Sequence, residues 1–135
     1  MKAINFLRRY EVLCGRIDKL EQEIDDILTE GKSVSDNDGM PRGTKTSRPT
    51  EDKAIRLTDR RLKLEQLKLD AIAEREKIFD VIISIDGAEG DILYERYIKL
   101  KGWEQICADI SYSWAHTHRI HKRALAKVQA IINMR

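Results

Sequence analysis

The sequence predicts an all-α protein, with a long N-terminal helical hairpin or coiled coil followed by a domain of shorter helices. Charged residues make up 36% of the chain and aromatic residues only 6%, which is typical of long amphipathic helices rather than of one large globular core. Two prolines and seven glycines leave long stretches without a helix breaker. A chain of 135 residues has room for one domain, or for a small domain with an extension.

The first helix is predicted over about residues 2–30. Its apolar residues recur at alternating spacings of four and three, and they are Phe6, Tyr10, Leu13, Ile17, Leu20, Ile24 and Ile27. This heptad pattern forms one seam along a helix. Because each apolar side chain gains roughly 1.5–3 kcal/mol on full burial, the seam requires a partner helix. Gly31 is a natural stop for the helix.

Residues 31–50 are predicted to form a loop, because they contain three glycines, both prolines and several Ser, Asp and Asn residues. A loop of this length is uncommon inside a compact domain. It carries Arg42, Lys45 and Arg48, so two interpretations stay open. The segment is either a solvated linker or a basic arm that contacts an anionic partner.

A second long helix is predicted over residues 51–85, with Thr50 as its N-cap. Its main apolar stripe consists of Leu57, Leu64, Leu67, Ala71, Ile78, Val81, Ile82 and Ile85. Leu62, Leu69 and Ile72 lie off this stripe, and so broad an apolar surface indicates more than one neighbour. We expect the two helices to form a hairpin domain over residues 1–86. We also expect the remaining surface to pair with a second chain, as a homodimer.

Residues 87–135 are predicted to form a second domain of shorter helices, which a capping box beginning at Asp86 would start. A one-sided helix is indicated by the i, i+3, i+4, i+7 spacing of Trp103, Ile106, Cys107 and Ile110. Ser111-Tyr112 predicts a tight turn that joins two helices at a steep angle. Ser113 predicts the N-cap of a last helix over residues 114–134.

Charge is distributed unevenly along the chain. The net charge is +2 overall, but residues 96–135 carry 8 basic and 2 acidic side chains, whereas residues 51–95 carry 8 and 12. No acidic residue follows Asp109. A basic end on an otherwise acidic chain indicates an anionic partner for that end.

The last helix collects much of this charge on one face. At about 100° per residue, the inward face consists of Thr117, Ile120, Ala124, Val128 and Ile131. The outward face begins with a small residue and continues with Arg, His and Lys. A small residue allows close approach, Arg and His can address base edges, and Lys can bind phosphate, as a helix in the major groove of DNA requires. The predicted DNA-binding residues are Trp114, Ala115, His116, His118, Arg119, Lys122, Arg123 and Lys127, and the candidate arm on the DNA backbone or minor groove is Arg42, Lys45 and Arg48.

Metal binding and catalysis are weaker alternatives. His118 and His121, spaced i+3, are the only histidines that share a face, and no carboxylate lies near them in sequence; helical metal ligands are typically spaced i+4 or clustered with cysteines. No glycine-rich phosphate loop, nucleophile with a base or isolated carboxylate pair is visible. We therefore expect no metal, no cofactor, no catalytic residue and no enzymatic activity. A solvated basic face without a ligand remains an alternative to DNA binding.

The cysteines and the apolar runs indicate the compartment. Cys14 and Cys107 lie far apart and match no ligand set or disulfide framework, which fits a reducing cytosol. The start of the chain lacks the pattern of a signal peptide. The longest strongly apolar run, residues 81–85, is too short to span a bilayer. We expect a cytoplasmic protein with no membrane partner.

Residues 103–128 read WEQICADISYSWAHTHRIHKRALAKV. Within the longer segment 92–128, they resemble the C-terminal promoter-reading region of bacterial sigma factors without a gap. The chain is also similar to the small sigma-like regulators of phages that infect Gram-positive bacteria, the ArpU and RinA type. The residues at that type's motif positions are Met40-Pro41-Arg42-Gly43, Arg96-Tyr97, Trp103, Ile106, Tyr112-Ser113, Arg119-Ile120-His121 and Ala124-Leu125.

The resemblance implies a sigma-like helix-turn-helix domain and a transcriptional regulator that binds double-stranded DNA sequence-specifically. It implies a late-gene activator of a phage or prophage, acting at promoters in a bacterial host. Contacts with bases and phosphates would come from Trp114, Ala115, His118 and Arg119, with His116 and Lys122 near the backbone. Sigma factors usually have a charged pair at 114–115 and a large aliphatic residue at 117, so their target sequence does not transfer. Two alternatives stay open: a DNA-packaging factor of the small-terminase kind, and an adaptor that binds RNA polymerase without sequence specificity of its own.

Overall fold

The computed structural model describes residues 1–30 and 47–135, with side chains described from residue 50 onward in the second range. The described helices are α1 (Ala3–Leu7), α2 (Arg9–Leu28), α3 (Ser47–Ile83), α4 (Gly87–Leu93), α5 (Trp103–Ile110) and α6 (Trp114–Asn133). A π-helical turn, Tyr94–Ile98, continues α4. No described residue belongs to a β-strand, and the all-α prediction is confirmed. The candidate arm lies outside this description: Arg42 and Lys45 are not described, nor is the side chain of Arg48.

The helices differ from the prediction in three main respects. The predicted first helix is interrupted at Arg8, the C-cap of α1, and continues as α2. α3 begins at Ser47 rather than at residue 51, so Thr50 lies in its first turn and is not its N-cap. A proline in that turn is tolerated because its missing N–H would have no partner there. Asp86 precedes α4 with an extended backbone but makes no side-chain capping bond, so the predicted capping box does not form.

The chain forms two compact units. The first unit contains residues 1–14 and 70–135, and the second contains residues 15–69. The sequence placed a domain boundary at residue 86, whereas the units divide within α2 and α3. The cause is that the start of the chain and the end of α3 supply apolar side chains to the same core as α6.

That core of the first unit joins helices that are distant in sequence. Its buried residues are Ala3, Phe6, Leu7, Ile78, Val81, Ile82, Ile85, Leu93, Tyr97, Ile98, Ala124 and Val128. Two hydrogen bonds also connect the start of the chain to α6: the Ala3 N–H donates to Gln129 Oε1 over 2.8 Å, and Gln129 Nε2 donates to the Met1 carbonyl over 3.0 Å. The first helix of the chain is therefore a support for the last one.

The second unit is an antiparallel pair formed by parts of α2 and α3. Among the described residues, three ion pairs cross it, and the acidic partner comes earlier in the chain as the basic partner comes later: Glu30–Arg56 at 2.9 Å, Glu23–Arg60 at 3.8 Å and Glu21–Lys68 at 4.0 Å. These pairs are exposed, so solvent and salt screen them and they contribute little to stability. The buried seam residues Ile24 and Ile27 supply the apolar contact that the heptad pattern requires.

Candidate nucleic-acid interface

A three-residue turn joins α5 to α6. Ser111 ends α5 in the left-handed conformation, with φ 60° and ψ 35°, and the Tyr112 N–H donates to the Cys107 carbonyl over 3.2 Å. Ser113 then caps α6, because its Oγ accepts the His116 N–H over 3.1 Å. The predicted turn and N-cap are confirmed. The cap therefore starts α6 directly after the three-residue connection from α5.

The inward face of α6 lies against the two preceding helices. Thr117, Ile120, Ala124 and Val128 are buried, as the helical spacing predicted. Ile120 forms a small core cluster with Ile92 and Ile106, and Trp103 packs at its edge. Thr117 is fully buried although it is polar, and its Oγ1 accepts a hydrogen bond from the Cys107 thiol over 3.4 Å. This bond explains how the threonine hydroxyl is accommodated on the buried face of α6.

The outward face of α6 presents Ala115, Arg119 and Lys122, which are all exposed. Among the described residues, neither Arg119 nor Lys122 forms an ion pair. Trp114, the first residue of α6, is 55% exposed. We call these four residues the α6 strip. It combines a small residue that a partner could approach closely, an indole, and two cations that have no carboxylate partner among the described residues.

His118 was predicted to project outward with this strip, but its ring lies between two indoles. The centroid distances are 4.6 Å to Trp103 and 4.4 Å to Trp114. The side chain is half-buried, and its Nε2 atom is buried without a hydrogen bond within the described part of the chain. This placement makes the ring a spacer between the tryptophans.

His121 lies deeper in the same aromatic cluster. Its ring stacks on Tyr97 and meets the edge of Trp103. Burial, followed by the charges of His118 and Arg96, lowers the pKa of His121 to about 4. Burial also raises the pKa of Tyr97 to about 12. At neutral pH the imidazole is therefore uncharged, and its Nε2 shares a hydrogen bond with the Tyr97 hydroxyl over 2.8 Å.

The depressed pKa of His121 predicts a specific pH dependence of stability. The unfolded chain binds a proton at this residue near pH 6.5, whereas the folded chain does so only near pH 4. Stability from the neutral imidazole is fully present above pH 6.5 and is lost as the pH falls towards 4. We expect His121→Gln to flatten the fall in unfolding free energy across this window, as measured by urea denaturation. His116→Gln, at the start of α6, is the control and should keep the wild-type slope; equal slopes for wild type and His121→Gln would contradict the account.

The cations on the flank of α6 are already paired. Lys127 Nζ lies 2.6 Å from Glu89 Oε2, and Arg123 Nε lies 3.9 Å from Glu89 Oε1. Glu89 belongs to α4, and its side chain is largely buried. His116, the remaining predicted backbone contact, packs its ring against Tyr112 at a centroid distance of 4.6 Å. Within the described part of the chain, the structure thus separates two cations without an ion-pair partner, Arg119 and Lys122, from two that Glu89 holds.

Arg96 packs on the aromatic cluster of the candidate interface, a role that the charge pattern did not indicate. Its guanidinium lies 5.1 Å from the centroid of Trp103, and its Nη1 donates to the Lys101 carbonyl over 2.9 Å. Lys101 pairs with Glu95 at 2.6 Å and with Asp109 at 2.9 Å, which ties both ends of α5 to the π-helical turn. The crowding of aromatic residues and histidines over 103–121 was the available sequence signal for this cluster.

Within residues 1–30 and 47–135, no group of three or more His, Cys, Asp or Glu side chains is placed to hold a metal ion. No described helix combines the length and the apolar character needed to cross a membrane. No family model, curated protein or solved structure matches the chain.

Proposed function

We propose that this protein is a sequence-specific regulator of transcription that binds double-stranded DNA by inserting α6 into the major groove. The observation that carries the proposal is the α6 strip, which lies on the exposed face of a capped helix whose other face is buried. Major-groove helices place the residues of their first turns against base edges, and the strip occupies those turns. The likeness to phage sigma-like regulators supports late-gene activation at promoters, in the cytoplasm of a bacterial host.

The two cations of the strip have different roles in this proposal. Arg119 carries a planar fork of donors, which suits bidentate contact with O6 and N7 of a guanine. Lys122 lies almost one turn further along α6 and supplies charge to a phosphate. Arg123 and Lys127 must leave Glu89 before they can bind phosphate, so we assign them a smaller share of the affinity.

Selection from a randomised duplex library with the purified full chain tests the proposal. We expect enrichment of a short motif that contains a guanine, and an affinity that falls steeply with salt because counterions are released from the DNA. Salt-dependent binding without any enriched motif would contradict the proposal. That result would favour an adaptor that binds RNA polymerase and has no sequence specificity of its own.

A homodimer is the assembly that we propose for this regulator. Ile55, Leu62 and Leu69 are spaced seven residues apart on α3, and they are 60%, 66% and 60% exposed. Heptad spacing of exposed apolar residues is typical of a helix that pairs with another helix. A two-fold dimer would read two half-sites about one helical turn of DNA apart, or a multiple of that spacing.

Substitution of this line of apolar residues tests the dimer. We expect the wild-type chain to sediment as a dimer at micromolar concentration, and Leu62→Gln combined with Leu69→Gln to sediment as a monomer. Leu28→Gln, an exposed leucine on α2, is the control and should remain dimeric. A wild-type monomer would refute the dimer, and a ring of many subunits would favour the DNA-packaging alternative.

A further inference from the structure

Trp114 is a large apolar side chain that lies on the surface of the protein rather than in a core. It is 55% exposed, whereas Trp103, the other tryptophan of the chain, is half-buried beside the core cluster of α5 and α6. Exposure of a tryptophan is unfavourable in water, since its ring is among the largest apolar surfaces in a protein. Its position as the first residue of α6 puts it where a major-groove helix meets base edges.

The exposed indole is held in a fixed place. It packs on His118 at 4.4 Å, His118 packs on Trp103 at 4.6 Å, and the Arg96 guanidinium lies 5.1 Å from the centroid of Trp103. These four side chains form one series of contacts from the π-helical turn to the surface, in which the rings are tilted against one another. Because the indole already packs on a neighbouring ring, it loses less side-chain freedom on binding than an uncontacted side chain would.

The chemistry of the indole selects among the bases. Its face is apolar, and its only polar group is a single N–H donor, so it cannot form the bidentate contacts that arginine makes with guanine or that asparagine makes with adenine. Among the four bases, only thymine presents an apolar group in the major groove, the C5-methyl. A rigid apolar face at the start of α6 therefore fits a thymine methyl.

We propose that Trp114 specifies a thymine by packing its indole against the C5-methyl group, within the same half-site in which Arg119 contacts a guanine. This inference rests on the proposed DNA-binding function and adds a base preference to it. Removal of the methyl from that one thymine should lower affinity about fourfold, because burial of one such carbon contributes roughly 0.8 kcal/mol and 1.4 kcal/mol corresponds to about tenfold.

Deoxyuridine is the probe that isolates this contact, because it differs from thymidine only by the C5-methyl group. We would select binding sites with the full chain from two randomised duplex libraries, one made with thymidine and one with deoxyuridine. We expect a fixed thymine in the first motif and no base preference at that position in the second, while the guanine persists in both. On the best duplex, a single thymidine-to-deoxyuridine change should lower the affinity of the wild type about fourfold.

Two variants attribute the effect to Trp114. The Trp114→Ala variant should bind the thymidine and deoxyuridine duplexes equally. Tyr112→Ala is the matched control, since Tyr112 is an exposed aromatic residue of the turn just before Trp114, and its ring packs on His116. This variant should keep the fourfold difference. If the wild type enriches a motif but binds both duplexes equally, the thymine contact is refuted while the DNA-binding function stands. If neither library yields a motif, the proposed function itself fails, and the thymine contact fails with it.

Discussion

Arg119→Ala should weaken binding to the selected duplex by about 5- to 140-fold, which corresponds to about 1–3 kcal/mol for a lost bidentate base contact. The guanidinium is exposed on the α6 strip and has no ion-pair partner among the described residues, so its donors are available to a base. The same substitution should leave non-specific affinity much closer to the wild-type value. Fluorescence anisotropy with the selected and a scrambled duplex, at one fixed salt concentration, measures both effects.

Arg123→Ala is the matched control for this experiment. It removes the same side chain from the same helix, about one turn further along, where the guanidinium is held near Glu89 at 3.9 Å. We expect at most a several-fold loss of affinity, equal for the two duplexes, as for a phosphate contact. Equal losses of specificity from the two variants would show that the strip is assigned to the wrong face of α6.

Gly90→Ala should destabilise the first unit by about 3 kcal/mol or more, at the upper end of what overpacking causes. A Cβ atom at Gly90 would overlap the carbonyl oxygen of Ile85 and lie 3.1 Å from its carbonyl carbon. These are backbone atoms of a buried core residue, so no flexible side chain can move aside. Urea denaturation of the full chain, followed by circular dichroism, measures the loss.

Gly15→Ala is the control for the glycine experiment. Gly15 lies inside α2, and a Cβ there would meet nothing within 4 Å. Alanine is favoured over glycine in a helix by roughly 0.5–1 kcal/mol, so this variant should be slightly more stable than the wild type. A Gly90→Ala chain that is as stable as Gly15→Ala would contradict the described packing of α4 on the end of α3.

Local periodicity made a large part of this fold predictable. The buried face of α6 and the cap at Ser113 depend on residues within a few positions of one another, and both are confirmed. Of the predicted seam of the first helix, Phe6, Ile24 and Ile27 are buried, and the helix is interrupted at Arg8. The division into units depends on contacts such as that between Ala3 and Gln129, which are 126 residues apart. No local pattern marks such a pair, so the sequence could not show that the start of the chain packs with the last helix.

The candidate interface shows the same contrast. The exposure of Ala115, Arg119 and Lys122 follows from helical angles alone, and the sequence predicted it. The surroundings of His118 and Lys127 depend on Trp103 and Glu89, which come from other helices. A helical wheel shows only the residues of its own helix. It therefore could not distinguish Arg123 and Lys127, which pair with Glu89 of α4, from the two cations of α6 that have no ion pair among the described residues.

The most direct test of the central claim is the ratio of affinities for the selected duplex and a scrambled duplex of equal length, at physiological salt. Sequence-specific DNA-binding proteins typically show a ratio of about 10³ or more. We expect a ratio of that order for the wild-type chain, with a large decrease in Arg119→Ala and little change in Arg123→Ala. A ratio near one for the wild type would contradict sequence-specific recognition by α6.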